Sequence, residues 1–137
     1  MQLVTGQDEF IAGWIGSHLD MEISPPFSAI GILDGNGTLR AGWLINNYNG
    51  HNADISVYAP GMLNRRAIGS CYANLFIDHR LTRATALTRR NNQVMRDLMP
   101  RLGFQFEGLK RRYFGPSRKD DAFSFVLFRD NAEKWIR

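Results

Sequence analysis

The chain has 137 residues, 44% of them apolar and 12% aromatic, enough to bury one core unaided and too apolar for a disordered chain. Its one cysteine, Cys71, excludes an internal disulfide, and no Cys/His spacing points to a metal site. The net charge of +4 is unevenly spread: residues 1–60 hold one basic residue, Arg40, against six acids, whereas residues 61–137 hold 16 against seven.

A second half this basic is expected to face an anion, whether a phosphate-bearing cofactor, nucleic acid or an acidic protein; a solvated basic face is the plain alternative. No apolar run approaches the ~20 residues of a membrane span. The opening MQLVTGQDEF lacks the basic start and apolar stretch of a signal peptide, so a cytoplasmic protein is expected.

In chain order, Thr5-Gly6-Gln7-Asp8 has the form of a capping box, and Phe10, Ile11, Trp14, Ile15 and Leu19 make an apolar stripe, predicting a helix over about 7–19 despite Gly13 and Gly16. Pro25-Pro26 ends any continuation. Phe27–Leu33 and Leu39–Asn46 read as paired strands around the turn Asp34-Gly35-Asn36-Gly37, and Asp54–Ala59 follows the Asn49-Gly50 turn as a third. After Pro60-Gly61, apolar residues from Leu63 to Phe76 recur at helical spacing, predicting a long helix over about 62–79. Strand 83–89, helix 92–101 and strands 104–113 and 122–129 complete the chain, with a polar loop at 116–120 and a short tail from Asp130 to Trp135. Pro100 is expected to kink or shorten its helix near Arg96. One domain spanning 1–137 follows, because no linker, repeat or low-complexity tract interrupts the pattern. The crossover from strand 54–59 to strand 83–89 makes one parallel pair in an otherwise antiparallel sheet, an α/β (α+β) architecture with helices on both faces.

The stretch ATALTRRNNQVMRDLMPRLGFQFEG, residues 84–108, places strand, Asn cap, helix, Gly stop and strand in fixed order. In that order and spacing it resembles the second half of the GNAT superfamily of acetyl-CoA-dependent N-acetyltransferases. Glu107-Gly108 after Phe104, and Arg129 to Trp135 near the end, resemble its ribosomal-protein N-terminal branch. The likeness covers roughly Phe27 to Trp135, although the N-terminal region has room for one helix where the family usually has two. It implies that the parallel pair parts at a bulge in the first strand. Pantetheine would lie in the wedge, with the coenzyme pyrophosphate on the backbone N–H groups that open the long helix.

The family's loop reads Arg/Gln-x-x-Gly-x-Gly/Ala. A literal match is Arg66-Ala67-Ile68-Gly69-Ser70-Cys71, but that register leaves the long helix about two turns short. Helix length instead selects Ala59 to Asn64, directly after the strand. Its Ala-Pro-Gly-x-x-x-Arg-Arg text resembles a compact branch common in phage genomes. The motif Arg and both glycines are absent in this register; Gly61, Met62, Leu63 and Asn64 would supply backbone donors, with Arg65 and Arg66 supplying charge. A plain Pro-Gly turn beside a solvated Arg pair has the same text.

The implied chemistry is direct attack of an amine on the acetyl-CoA thioester, requiring a base and a backbone donor for the developing oxyanion. Val57 or Tyr58 would give that donor from the main chain. Asp54, Ser56 and Tyr58 alternate onto one face of the strand, with Asp54, or a water held by Ser56, as the base; an Asp satisfying turn N–H groups and a packing Tyr are the structural alternatives. Asn92, eleven residues before Gly103, matches the family's Asn beside the pantetheine, and equally suits an N-cap. Four residues before Gly103, where many members place an acid Tyr, stands Met99, which cannot donate a proton. His51 lies in the Asn-rich turn, and Cys71 on the apolar stripe. Lys110-Arg111-Arg112-Tyr113 with Arg118-Lys119 could hold phosphates or an acidic partner, or simply form a charged strand end. The amine acceptor is a protein or a small molecule, and the oligomeric state is open. A GNAT-fold binding protein without turnover and a nucleic-acid-directed acyltransferase are the competing functions.

Overall fold

The computed structural model describes residues 2–60 and 64–136. A single seven-stranded sheet has the order β1-β2-β3-β4-β5-β7-β6, built from β1 (Gln2–Val4), β2 (Phe27–Leu33), β3 (Leu39–Asn46), β4 (Asn52–Tyr58), β5 (Arg83–Arg89), β6 (Gln105–Lys110) and β7 (Ala122–Phe128). Every neighbouring pair is antiparallel except β4 and β5, as the crossover required. Three strands fall on their expected bounds, because turn residues punctuate them. Asp34 is the clearest case: its carboxylate accepts from the N–H groups of Asn36 and Thr38 and from Arg40 Nε, closing the β2–β3 hairpin. The Arg40 hydrogen bond foremost, then those two N–H groups, holds this carboxyl below the usual range.

Helix α1 (Asp8–Leu19) covers one face of the sheet, setting Ile11, Ala12 and Ile15 against Ala29 and Leu44. Burying Ile11 and Ile15 contributes roughly 1.5–3 kcal/mol each, which outweighs the ~1 kcal/mol cost of each interior glycine, Gly13 and Gly16. The close seat depends on Gly42, where a Cβ would overlap Ile15. Two expectations at this helix change. Gln7, not Thr5, is the N-cap, and it caps without its side chain, while the Asp8 carboxylate is diverted to the Ala29 N–H at 3.1 Å. Phe10 falls off the stripe and is exposed.

The other face carries α2 (Arg65–Ala73), continued by a π-helical turn at Asn74–Asp78, together with α3 (Gln93–Arg101) and α4 (Arg129–Ile136). Their apolar sides close over Ile45, Ile55, Ala84, Ala86, Phe125 and Leu127. The expected tail is therefore a helix. Gly69 of α2 lets it approach, since a Cβ there would collide with the Trp135 carbonyl, and Arg65 donates to the Lys134 carbonyl at 2.8 Å. Pro100 does not shorten α3, because it sits in the last turn, where its missing N–H costs only the bond to Arg96. Strand β6 ends at Lys110 rather than at Tyr113; Arg112 takes a φ of 53° and its N–H turns onto Asp121 Oδ1. Among the described residues, no helix is long and apolar enough to cross a membrane.

Candidate functional site

The parallel pair is zipped for only half its length. Asn52, Ala53, Asp54 and Ile55 pair with Arg83, Ala84, Thr85 and Ala86; beyond them Ser56–Tyr58 and Leu87–Arg89 have no mutual register. On its other side β4 stays paired with β3 from Asn46↔Asp54 to Gly42↔Tyr58 without a shift. The parting is thus not caused by a β4 bulge, which the resemblance had implied. Each strand instead follows its outer neighbour, β4 keeping to β3 and β5 keeping to β7 through Arg89↔Ala122.

Backbone groups alternate along a strand, so one hydrogen bond fixes the parity of the rest. The Arg83 N–H donates to the His51 carbonyl at 3.2 Å, so the odd residues of β4 turn their backbone toward β5 and the even ones toward β3. Past Ile55 the odd position is Val57, whose N–H and C=O face the gap. Tyr58 turns its N–H toward β3 and away from the gap.

The gap opens into a cleft of about 190 Å³ lined from both faces of the sheet. Asp54, Ser56 and Val57 of β4, Thr88 and Arg89 of β5, and Asn92 at the head of α3 are in its wall. Asp54 Oδ2 accepts from Asn47 Nδ2 at 2.9 Å. Asn92 is both N-cap and wall, its side chain accepting from the Met95 N–H at 3.2 Å. Tyr58 lies outside the wall: its ring stacks on His18 at 4.3 Å and meets the edge of Trp14 at 5.3 Å.

At the start of the long helix, Gly61, Met62 and Leu63 lie outside the described residues. Asn64 is the N-cap of α2, its side chain accepting from the Ala67 N–H at 2.9 Å. Arg65 reaches across to α4, with its guanidinium 4.8 Å from the Trp135 ring, and Arg66 is exposed on the first turn. The alternative motif, Arg66 to Cys71, is inside α2, where Gly69 serves the contact with α4. Cys71 is fully buried, and burial pushes its thiol up to about 12, so no thiolate is on offer near neutral pH. His51 is exposed at the opposite end of β4, outside the cleft wall.

Sequence reasoning missed much of the wall. Trp43, cross-strand from Val57, and Tyr72 of α2 form its inner side. The Tyr72 hydroxyl donates to the Leu102 carbonyl at 2.7 Å, and burial raises its pKa well above the ordinary value, so it is a fixed wall group. Leu19 at the end of α1, Met21 just beyond it, and Tyr113 and Phe114 after β6 close the outer side. Buried Met99 stands in the wall at the position of the family's acid. Among the described lining residues, Asp54 is the one carboxylate and Arg89 the one cation. No cluster of three or more His, Cys, Asp or Glu able to hold a metal occurs among the described residues.

No family model matches the chain, and no curated protein matches it by sequence. Solved structures do match. A spermidine N-acetyltransferase from Vibrio cholerae in complex with CoA and spermine aligns at a TM-score of 0.73 and 15% identity, covering 96% of this chain and 97% of that one. A dodecameric spermidine N-acetyltransferase from Vibrio cholerae, in an intermediate state, aligns at 0.74 and 14% identity over 94% of each chain. At this identity the likeness is one of fold, and it extends over nearly the whole chain: the protein has the GNAT fold.

Proposed function

We propose that this protein is an N-acetyltransferase that moves an acetyl group from acetyl-CoA to an amine of a protein or small molecule, by direct attack in a ternary complex. The observation that carries this reading is the half-zipped parallel pair, which leaves the Val57 backbone facing a cleft on the fold of known amine acetyltransferases. Acetyl-CoA, as co-substrate, supplies an activated thioester. The residues present fit it. Val57 offers its C=O as an acceptor to an extended pantetheine arm and leaves its N–H for the thioester oxygen, and Asn92 flanks the arm. The first turn of α2 offers the Arg65 and Arg66 N–H groups and the Arg66 charge to a pyrophosphate.

Within this arrangement the Val57 N–H faces the developing oxyanion, an interaction worth about 10²–10³ in turnover. Asp54, or a water held by Ser56, takes the proton from the acceptor ammonium; Asn47 holds the carboxylate in place. Met99 cannot return a proton, so water protonates the departing thiolate. Met99 is also what favours a second reading, a binding protein of this fold without turnover. The spermine-bound neighbour takes a polycation, but one carboxylate and one arginine in this wall do not make a polycation seat. A single buried thiol suits a reducing, cytoplasmic setting.

Calorimetric titration with acetyl-CoA, followed by thiol release on panels of amino acids, peptides and polyamines, tests the reading. Binding with turnover is expected. Absence of binding at about 1 mM contradicts coenzyme use, and binding without turnover on any amine favours the second reading. Asp54→Asn is expected to lower turnover by about 10²-fold with coenzyme affinity unchanged.

A further inference from the structure

Beside the cleft, beneath the β6–β7 loop, lies a second pocket lined by Arg90, Leu109, Arg111, Arg112, Arg118 and Asp121. Asp121, only 3% exposed, is its floor. Both its oxygens are spent: Oδ1 accepts from the Arg112 N–H at 2.8 Å, and Oδ2 from Arg90 Nη1 at 3.0 Å. The guanidiniums of Arg111, Arg112 and Arg118 have no carboxylate within ion-pair distance among the described residues. Three like charges are gathered around one cavity whose single acid is already engaged, an arrangement that a bound dianion relieves.

The loop holding them is internally braced. Ser117 and Asp120 form a reciprocal capping box, and the Phe114 N–H donates to the Asp120 carbonyl at 2.9 Å. The same loop sends Tyr113 and Phe114 into the cleft wall, where the Arg89 guanidinium lies 4.5 Å from the Phe114 ring. Pocket and cleft are therefore two sides of one short segment.

We infer that this pocket binds a phosphate-type dianion, and that it belongs to an acceptor whose amine enters the cleft while its phosphate rests on Arg111, Arg112 and Arg118. The anion site stands on the pocket alone; its use by an acceptor rests on the acetyltransferase reading. Guanidinium forks match tetrahedral oxyanions bidentately, so three of them select two negative charges over one. The acceptor class is then a phosphorylated amine rather than a polyamine.

The test titrates inorganic phosphate into the protein and its variants, followed by amide chemical shifts. The double variant Arg111→Gln/Arg118→Gln is expected to bind phosphate at least about tenfold more weakly, with shifts in the parent centred on 109–121. Arg101→Gln, exposed on α3 away from the pocket, is the control for general charge. Equal phosphate affinity in parent and double variant, or an equal loss in Arg101→Gln, overturns the anion site. The source of the phosphate is read by comparing CoA with 3′-dephospho-CoA. An unchanged preference in the double variant supports the acceptor; a lost preference assigns the pocket to the coenzyme and overturns that assignment. Phosphate binding persists whether or not acetyl-CoA binds, so the two readings fail separately.

Discussion

The two halves of the β4–β5 pair have the same strands and opposite fates. The lower half is clipped by side chains: Asn52 Oδ1 accepts from Thr85 Oγ1 at 2.7 Å and from Arg83 Nε at 3.1 Å, while Arg83 also pairs with Glu107. The upper half has no such clip. There Tyr58 is drawn toward α1 by His18 and Trp14, and Arg89 toward the β6–β7 loop by Phe114 and, at 3.9 Å, by Asp120. A sheet can thus be opened without an inserted residue. Holding each strand harder on its outer side than on its inner one is enough, and it leaves the Val57 amide facing the opening.

The sharpest way to break this contrast is Val57→Pro. It removes an N–H that faces the gap and leaves the β3 ladder bonds in place, so about 10²–10³-fold loss of turnover is expected with the fold retained by circular dichroism. Asn52→Leu attacks the zipped half instead. Two buried-side donors lose their acceptor, and a stability loss of about 1–3 kcal/mol is expected in urea denaturation. Asp121→Asn addresses the loop that tethers the upper half. The Asp121 carboxyl is held below its ordinary value by the Arg112 N–H first and then by Arg90. Its stabilisation is present above the unfolded value of about 3.9 and lost as pH falls through the lower folded value. The variant is expected to show a shallower acid limb of stability against pH. Tyr58→Phe should do least, changing turnover by less than about twofold, since the ring contacts survive and its backbone N–H faces β3.

The strands β2, β3 and β5 were legible to the residue because turns and apolar alternation are local. By contrast, β1 has three residues and α4 has eight, too few for a period to emerge, and both form only because a sheet edge and the α2 face await them. Of the inner line of the candidate site, Asp54, Ser56, Val57 and Asn92 were named from the strand and from the Asn-to-Gly spacing and stand in the wall, whereas Tyr58, named by the same alternation as Asp54 and Ser56, does not, because α1 draws its ring away. The rest of the wall was not legible. Trp43, Tyr72, Tyr113 and Phe114 have the chemistry of any core residue, and only the tertiary fold separates wall from core. The β4 bulge failed for a related reason: the parting depends on contacts from α1 and β7, which β4's own text does not contain.

Amide hydrogen exchange at Val57, measured with and without acetyl-CoA, tests the central claim most directly. The account predicts rapid exchange at Val57 beside a protected Ile55 in the free protein, and protection of Val57 once acetyl-CoA is added. A Val57 amide as protected as Ile55 without coenzyme, or one unchanged at saturating acetyl-CoA, would contradict it.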